Sequence, residues 1–286
     1  MITVEAFLQQ YLKENSNLSN NYPGLKVERL VEEFIFFAND NYNDSKDFLI
    51  NKVLLNDFLG LLEKYIPLEY INERSFFYKN YFYVNKSVLI PRFETELLVE
   101  RSLELLSRKN STELRILDVG TGSGIIGLSI ANELKSAEVI LSDICEDALE
   151  VARINTKQLA YMRSENVDIR TVQGDRLKNI RGAFDLIISN PPYILKSELS
   201  TSVHKQTSLY EPHKALFLED GEYNSWFEEF FSSAYNSLKK KGIFYMEGHE
   251  SHLQQLIVKA KKLNWYDIGV EQDLTGRFRF LKAIKE

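Results

Sequence analysis

The chain has 286 residues, of which 44% are hydrophobic and 27% are charged, and its formal net charge is -6 at pH 7. This composition is that of an ordinary globular protein, long enough for one large domain and a smaller one. Proteins that bind duplex nucleic acid usually carry a basic surplus, so the acidic balance argues against stable nucleic-acid binding. The one clear basic run, Lys239-Lys240-Lys241, is interpreted as the C-terminal end of a helix.

Several simple features bear on compartment and metal binding. Cys145 is the only cysteine, so no disulfide can form within the chain, which favours a reducing compartment. The N-terminus lacks the pattern of a signal peptide, and no apolar stretch approaches the roughly 20 residues of a membrane span. The four histidines show no metal-ligand spacing with the cysteine. We therefore expect a cytoplasmic protein, without a bound metal or a membrane anchor, and we expect a monomer.

The N-terminal part has helical periodicity. Apolar residues recur at helical spacing from Leu30 to Phe37, and a second helical pattern begins near Asp44-Ser45 and continues to Leu62. These patterns predict a small helical domain over residues 1–74. Its core is too small to hold much chemistry by itself.

A short aromatic stretch follows the helical part. Phe76-Phe77-Tyr78 and Tyr81 to Val84 are typical of two strands around a two-residue turn, Lys79-Asn80. Asn80 is the residue expected to take the positive φ that such a turn needs. We interpret residues 75–88 as a linker β-hairpin.

From residue 89 to residue 286, predicted helices and strands alternate. This alternation predicts an α/β domain with a mostly parallel sheet covered on both faces and a closing antiparallel pair of strands. The predicted helices are Thr95–Ser107, Gly124–Leu134, Glu146–Leu159, Glu222–Lys241 and His252–Leu263. The predicted strands are Arg115–Val119, Val139–Asp143, Val167–Val172, Phe184–Ser189, Ile243–Met246, Asp267–Val270 and Phe278–Ile284.

A glycine-rich turn joins the first of these strands to the next helix. The residues after Val119 are Gly120, Thr121, Gly122, Ser123 and Gly124, and a ligand could approach the backbone N–H groups of such a turn. The spacing differs from the dinucleotide pattern GxGxxG, and the Lys-Ser/Thr ending of a phosphate-binding loop is absent. The alternative interpretation is a tight turn of no special function.

Two carboxylates make a binding site more plausible than a plain turn. Asp118 precedes the loop, where it could meet a cationic amino group, and Asp143 ends the next strand, where it could accept from both hydroxyls of a ribose. S-adenosylmethionine has both features, and the arrangement resembles that of class I (Rossmann-like) methyltransferases. Asp175 lies where that superfamily places adenine contacts, although a helix N-cap is an equal alternative.

The turn Asn190-Pro191-Pro192-Tyr193 follows the strand Phe184–Ser189 and suggests the reaction. A planar N–H₂ group is a poor nucleophile, and a site can help by accepting both of its hydrogens. The Asn190 side chain and the Pro191 carbonyl are the expected acceptors, held apart by the fixed φ of the prolines. Tyr193 could pack on the planar group and exclude water. Such a turn suits either a glutamine amide or an adenine amine.

The stretch Val88 to Glu100, which reads VLIPRFETELLVE, strongly resembles a segment of the HemK/PrmC family. That family methylates N5 of the glutamine in the GGQ tripeptide of peptide chain release factors. Further stretches that match the family are Pro67 to Ile71, Tyr81 to Val84, Tyr210-Glu211-Pro212, Ala215-Leu216, Asp220-Gly221 and Asp273 to Arg277.

The resemblance implies roles for individual residues. It implies cofactor contacts at Gly120 to Gly124, Asp143 and Asn190, substrate glutamine at Asn190 to Tyr193, and Arg92 and Glu94 near the substrate. The N-terminal domain and the hairpin would then dock the release factor. Phe93 stands where relatives have a second proline, Arg176 where many have an aromatic residue, and Asn72 where the linker usually has glycine.

Three alternatives compete with release factor methylation. The PRFETE sequence argues against methylation of a ribosomal protein, and the acidic balance argues against methylation of N6 of adenine in nucleic acid. The third alternative, a cofactor-binding adaptor without catalysis, is disfavoured by the intact turn from Asn190 to Tyr193.

Overall fold

The structure is a computed structural model that describes residues 4–15, 18, 22, 25–41, 52–109, 113–199 and 203–286. The chain forms two compact units. The first unit comprises Met1–Arg74 and His204–Tyr210, and the second comprises Ser75–Val203 and Glu211–Glu286.

Both units contain helices, whereas the large sheet belongs to the second. The helices are α1 (Val4–Glu14), α2 (Val27–Asn41), α3 (Lys52–Glu63), α4 (Leu68–Ile71), α5 (Thr95–Ser107), α6 (Ile125–Glu133), α7 (Glu146–Gln158), α8 (Lys205–Tyr210), α9 (His213–Leu216), α10 (Tyr223–Ser237) and α11 (Leu253–Ala260). The strands are β1 (Arg74–Phe77), β2 (Asn80–Tyr83), β3 (Leu114–Val119), β4 (Ala137–Asp143), β5 (Val167–Gln173), β6 (Phe184–Ser189), β7 (Ile194–Leu195), β8 (Phe217–Leu218), β9 (Leu238–Glu247), β10 (Trp265–Gln272) and β11 (Phe278–Lys285).

The first unit packs its helices around one apolar core. Leu30 and Phe34 of α2 meet Phe58 and Leu62 of α3, and Leu8 of α1 joins them. The helical character expected of this region is confirmed for the described residues. The expected start of the second helix near Asp44-Ser45 lies outside them.

The second unit is built on a seven-stranded sheet in the order β10-β11-β9-β6-β3-β4-β5. The strands from β9 to β5 run parallel, and β11 is antiparallel to both of its neighbours. One apolar cluster packs α5, α6 and α7 against one face, and a second packs α10 and α11 against the other. The predicted α/β fold, with its antiparallel C-terminal pair, is confirmed.

Two local predictions were wrong. The turn of the β1–β2 hairpin is Tyr78-Lys79, and Tyr78 rather than Asn80 has the positive φ, at 58°. A tertiary contact accounts for this choice, because the Tyr78 backbone N–H donates to Glu96 Oε1 at 2.9 Å and the Tyr78 ring packs on the core.

The lysine run does not end a helix. Helix α10 ends at Ser237, and Lys239-Lys240-Lys241 belongs to β9. Lys239 Nζ lies 2.7 Å from Oδ2 of the buried Asp185, and Lys241 has a φ of 58° where the pairing of β6 with β9 shifts register. The ion pair of Lys239 with the buried Asp185 therefore accounts for this lysine better than the helix dipole does.

No helix within the described ranges is long and apolar enough to cross a membrane.

Candidate active site

The carboxyl ends of four neighbouring parallel strands bring the candidate residues together. Val119 of β3 pairs with Ser142 of β4 and Ser189 of β6, and Ser189 pairs with Met246 of β9. The residues that follow these positions are Gly120, Asp143, Asn190 and Glu247. Ligands of open parallel sheets bind at this edge.

The glycine loop has a backbone that residues with side chains rarely adopt. Its glycines have φ values of 69° at Gly120, 55° at Gly122 and 84° at Gly124. A Cβ at Gly124 would lie 2.9 Å from Leu128 Cδ1, whereas Gly120 and Gly122 face open space. The first two glycines thus leave backbone exposed to a ligand, and the third is favoured by its positive φ and by its close packing against Leu128.

Asp118 is buried beneath this loop and is not part of the cavity lining. Its Oδ2 accepts hydrogen bonds from Thr121 Oγ1 at 2.7 Å and from the Gly127 backbone N–H at 2.9 Å. Its Oδ1 is buried without a hydrogen-bond partner in the structure. Burial raises the pKa of Asp118 to about 6, although both hydrogen bonds oppose the rise.

Asp143 lines the cavity and also organises the loop. Its Oδ2 accepts from the Gly122 backbone N–H and its Oδ1 from the Cys145 backbone N–H, both at 2.9 Å. Burial raises the pKa of Asp143, and these backbone donors moderate the rise. A carboxylate oxygen accepts more than one hydrogen bond, so both oxygens can still accept from a diol.

Asp175 is held by its neighbours, and no helix begins at it. Its Oδ2 lies 2.8 Å from Lys178 Nζ and 2.9 Å from an Arg176 nitrogen. Burial would raise the pKa of Asp175, but these two hydrogen bonds outweigh it and lower the pKa. Arg176 also reaches Glu229 at 3.0 Å, and its guanidinium lies 5.4 Å from the centre of the Trp226 ring.

The glycine loop, Asp143 and Asp175 line one cavity of about 430 Å³, a volume typical of small-ligand sites. Its lining includes the following polar, proline and aromatic residues: Arg92, Thr95, Thr121, Ser123, Asp143, Asp175, Arg176, Asn190, Pro191, Pro192 and Trp226. The cavity lies within the second unit. It joins the glycine loop to the Asn-Pro-Pro turn without a break.

The Asn-Pro-Pro-Tyr turn is anchored at both ends. Asn190 Nδ2 donates to Thr95 Oγ1 at 3.2 Å, and the Tyr193 hydroxyl donates to Glu247 Oε1 at 3.0 Å. Asn190, Pro191 and Pro192 line the cavity. Tyr193 does not; its ring packs against the apolar cluster beneath α10, and its pKa is raised, mainly by burial.

Arg92 and Glu94 occupy different environments. Arg92 lines the cavity and donates to Glu211 Oε1 at 2.6 Å, while Oε2 of this buried carboxylate accepts from the Ile90 backbone N–H. Glu94 lies at the N-terminus of α5, makes no capping hydrogen bond and does not line the cavity. The structure thus brings Arg92, but not Glu94, to the candidate site.

Three groups that shape the site were not predicted from the sequence. Glu247 could have been found by the rule that located Asp143, since it also ends a buried parallel strand. Trp226 had no comparable signal, because it is one of several aromatic residues that recur at helical spacing on one face of α10, a pattern that core packing alone explains. A third group, Asn155 of α7, donates to the carbonyls of Ser123 and Tyr83 and so ties the glycine loop to β2.

Within the described residues, no three His, Cys, Asp or Glu side chains are grouped as in a metal site. The sheet places the glycine loop, Asp143 and the Asn-Pro-Pro turn on one cavity at the carboxyl ends of its parallel strands, which is the arrangement of a class I methyltransferase.

Comparisons with known proteins agree with this class. Residues 94–222 match the family model of the methyltransferase small domain. The catalytic domain of hMettl16, solved in complex with the MAT2A 3′UTR hairpin 6, shares the fold at 14% identity with a TM-score of 0.54. That match covers 72% of this chain and 74% of the solved one.

Curated relatives are more specific. The release factor glutamine methyltransferase of Flavobacterium psychrophilum is 32% identical over 273 residues, which is 90% of this chain and 92% of the relative. That of Chlorobaculum tepidum is 40% identical, covering 77% of this chain and 75% of the relative. The chain belongs to the family of release factor glutamine methyltransferases.

Proposed function

We propose that this protein transfers a methyl group from S-adenosylmethionine to the side-chain amide nitrogen, N5, of the glutamine in the GGQ tripeptide of a peptide chain release factor. One observation carries the proposal: Asn190 and the proline pair line the same cavity as the glycine loop and Asp143. Family membership indicates glutamine rather than adenine as the acceptor.

The residues present suit this methyl donor. Asp143 can accept from the ribose hydroxyls, and the exposed backbone of Gly120 and Gly122 allows close approach of the amino acid portion. Trp226 offers an aromatic face for adenine, with Arg176 and Asp175 beside it. We assign Asp118 to holding the loop through Thr121 and Gly127.

The substrate amide would be activated by positioning. Asn190 Oδ1 and the Pro191 carbonyl accept the two N–H hydrogens, which directs the nitrogen toward the electrophilic methyl carbon of the donor. The N–C bond forms as the S–C bond breaks, and S-adenosylhomocysteine is the product. The methylated amide nitrogen then loses its extra proton to solvent, so the step needs no strong general base.

The protein substrate and the cellular compartment follow from the same function. The release factor is the expected protein substrate, and we expect the enzyme to act in the cytoplasm as a monomer.

A transfer assay with labelled S-adenosylmethionine tests this function. Its arms are a release factor, the same factor with the GGQ glutamine replaced by alanine, a ribosomal protein, DNA and RNA. We expect label on the unaltered release factor and none on its alanine variant. Label on nucleic acid or on the ribosomal protein, with none on the release factor, would refute the proposal.

A further inference from the structure

A buried carboxylate, Glu247, is linked to both ends of the Asn-Pro-Pro-Tyr turn, directly to Tyr193 and through Thr95 to Asn190. Its side chain lies at the carboxyl end of β9, and the residue is only 1% exposed. Oε2 accepts from Thr95 Oγ1 at 2.7 Å, and Oε1 accepts from the Tyr193 hydroxyl at 3.0 Å. Each oxygen thus binds one hydroxyl from a different side of the site.

The Thr95 hydroxyl connects this carboxylate to Asn190. A hydroxyl has one hydrogen to donate, and Thr95 donates it to Glu247. Toward Asn190, Thr95 can therefore act only as an acceptor. Asn190 must present its N–H₂ group to Thr95, as it does at 3.2 Å, and its carbonyl oxygen then points the other way.

This direction belongs to the ionised form of Glu247. Burial raises the pKa of Glu247 and the negative charge of Glu94 adds to the rise, whereas the Thr95 hydroxyl, the positive charge of Arg279 and the Tyr193 hydroxyl reduce it. Arg279 is itself held by Asp273, whose Oδ2 lies 3.4 Å from its Nε. An ionised carboxylate has no hydrogen to donate, so both hydroxyls must donate to it.

We propose that Glu247 and Thr95 are positioning residues that fix the direction of the Asn190 amide, so that its carbonyl oxygen rather than its N–H₂ group meets the substrate nitrogen. This inference rests on the proposed function and deepens it. A reversed Asn190 amide would place a donor against the donor hydrogens of the substrate and would abolish its activation.

The test compares two substitutions at Thr95. Thr95→Val keeps the size of the side chain but removes the hydroxyl, whereas Thr95→Ser keeps the hydroxyl. We expect Thr95→Val to slow single-turnover methyl transfer by about tenfold or more, because the hydrogen bond that orients the Asn190 amide is lost. We expect Thr95→Ser to recover most of that rate, and both variants to bind S-adenosylmethionine within about twofold of the parent protein.

Ser102→Ala is the matched control. Ser102 is also buried on α5, and its hydroxyl has no hydrogen-bond partner in the structure. The substitution Ser102→Ala should leave the rate of methyl transfer unchanged. Equal rates for Thr95→Val and the parent protein would overturn the positioning role, as would equal losses in the Val and Ser variants. A parallel loss of cofactor affinity in Thr95→Val would also overturn it.

A second measurement needs no substrate and so separates this inference from the proposed function. In protein labelled with ¹⁵N at asparagine, we expect a side-chain N–H of Asn190 to be protected from solvent exchange, and Thr95→Val to remove that protection. An Asn190 amide that exchanges equally fast in both proteins would contradict the inference. Failure of the parent protein to methylate any release factor would contradict the proposed function alone.

Discussion

At the scale of single residues, the cavity divides between groups that face the methyl donor and groups that direct the acceptor. Trp226 belongs to the first set and is the aromatic residue of the lining that lies beside Arg176. Its ring also packs against Phe227 and Phe230, with centroids 4.9 Å and 5.2 Å away. The helix therefore holds this ring in place before any ligand binds.

Replacing Trp226 tests the assignment of the adenine face. We expect Trp226→Ala to weaken S-adenosylmethionine binding by about tenfold, since aromatic stacking contributes roughly 1 kcal/mol. Trp226→Phe keeps an aromatic face and should lose much less. Calorimetric titration measures both affinities. Unchanged affinity in Trp226→Ala would place the adenine elsewhere in the cavity.

At the scale of elements, the turn between β10 and β11 is held by one carboxylate. Asp273 Oδ1 accepts from the backbone N–H groups of Thr275 and Arg277 and from the Thr275 hydroxyl. Burial alone would raise its pKa, but these hydrogen bonds lower the pKa to about 2. Since Asp273 also holds Arg279, this turn supports the region around Glu247.

The Asp273 prediction concerns stability and its dependence on pH. A carboxyl whose folded pKa lies below its unfolded pKa stabilises the fold above about pH 4, and this contribution is lost as pH falls toward about 2. Asp273→Asn should therefore lower the free energy of unfolding by about 1 to 3 kcal/mol at neutral pH. The difference from the parent protein should shrink in acid.

Urea unfolding at several pH values measures this effect. Asp267→Asn is a suitable control, because Asp267 lies on β10 with its side chain 52% exposed and 3.6 Å from Lys282 Nζ. This exposed ion pair should contribute less than about 1 kcal/mol. A larger loss in Asp267→Asn than in Asp273→Asn would contradict the role given to Asp273.

Elements were predictable from the sequence where local pattern and tertiary context agree. Thr95–Ser107 and Phe184–Ser189 form the expected helix and strand, because apolar periodicity specifies the face that the helix buries and a short, largely apolar run fits a strand buried on both faces. The Lys239 run and the Tyr78 turn were not predictable. In both, a contact distant in sequence, to Asp185 or to Glu96, overrides the local preference.

The same distinction holds in the candidate site. Asp143 and Asn190 could be predicted as site residues, because Asp143 ends a recognisable strand and Asn190 directly follows one. The link from Asn190 through Thr95 to Glu247 joins three elements across 152 positions of sequence, and no local pattern reports it. The burial of Asp118 beneath the loop likewise depends on the helix that follows, through Gly127.

At the scale of the whole molecule, the residues assigned to the methyl donor all belong to the second unit. A ligand that binds only the folded state stabilises it by about 2.7 kcal/mol when its concentration is 100 times Kd. We expect S-adenosylmethionine to slow hydrogen exchange in the glycine loop and after β4 and β5. Helices α1 to α3 should be unaffected, and protection confined to them would contradict the assigned site.

The location of the transferred methyl group is the most direct test of the central claim. Release factor is incubated with S-adenosylmethionine and either the parent protein or Asn190→Ala, and peptides containing GGQ are fragmented by mass spectrometry. We predict one methyl group on the glutamine side chain with the parent protein and none with Asn190→Ala, although the variant still binds S-adenosylmethionine. A methyl group on any other residue, or equal glutamine methylation by the variant, would contradict the account.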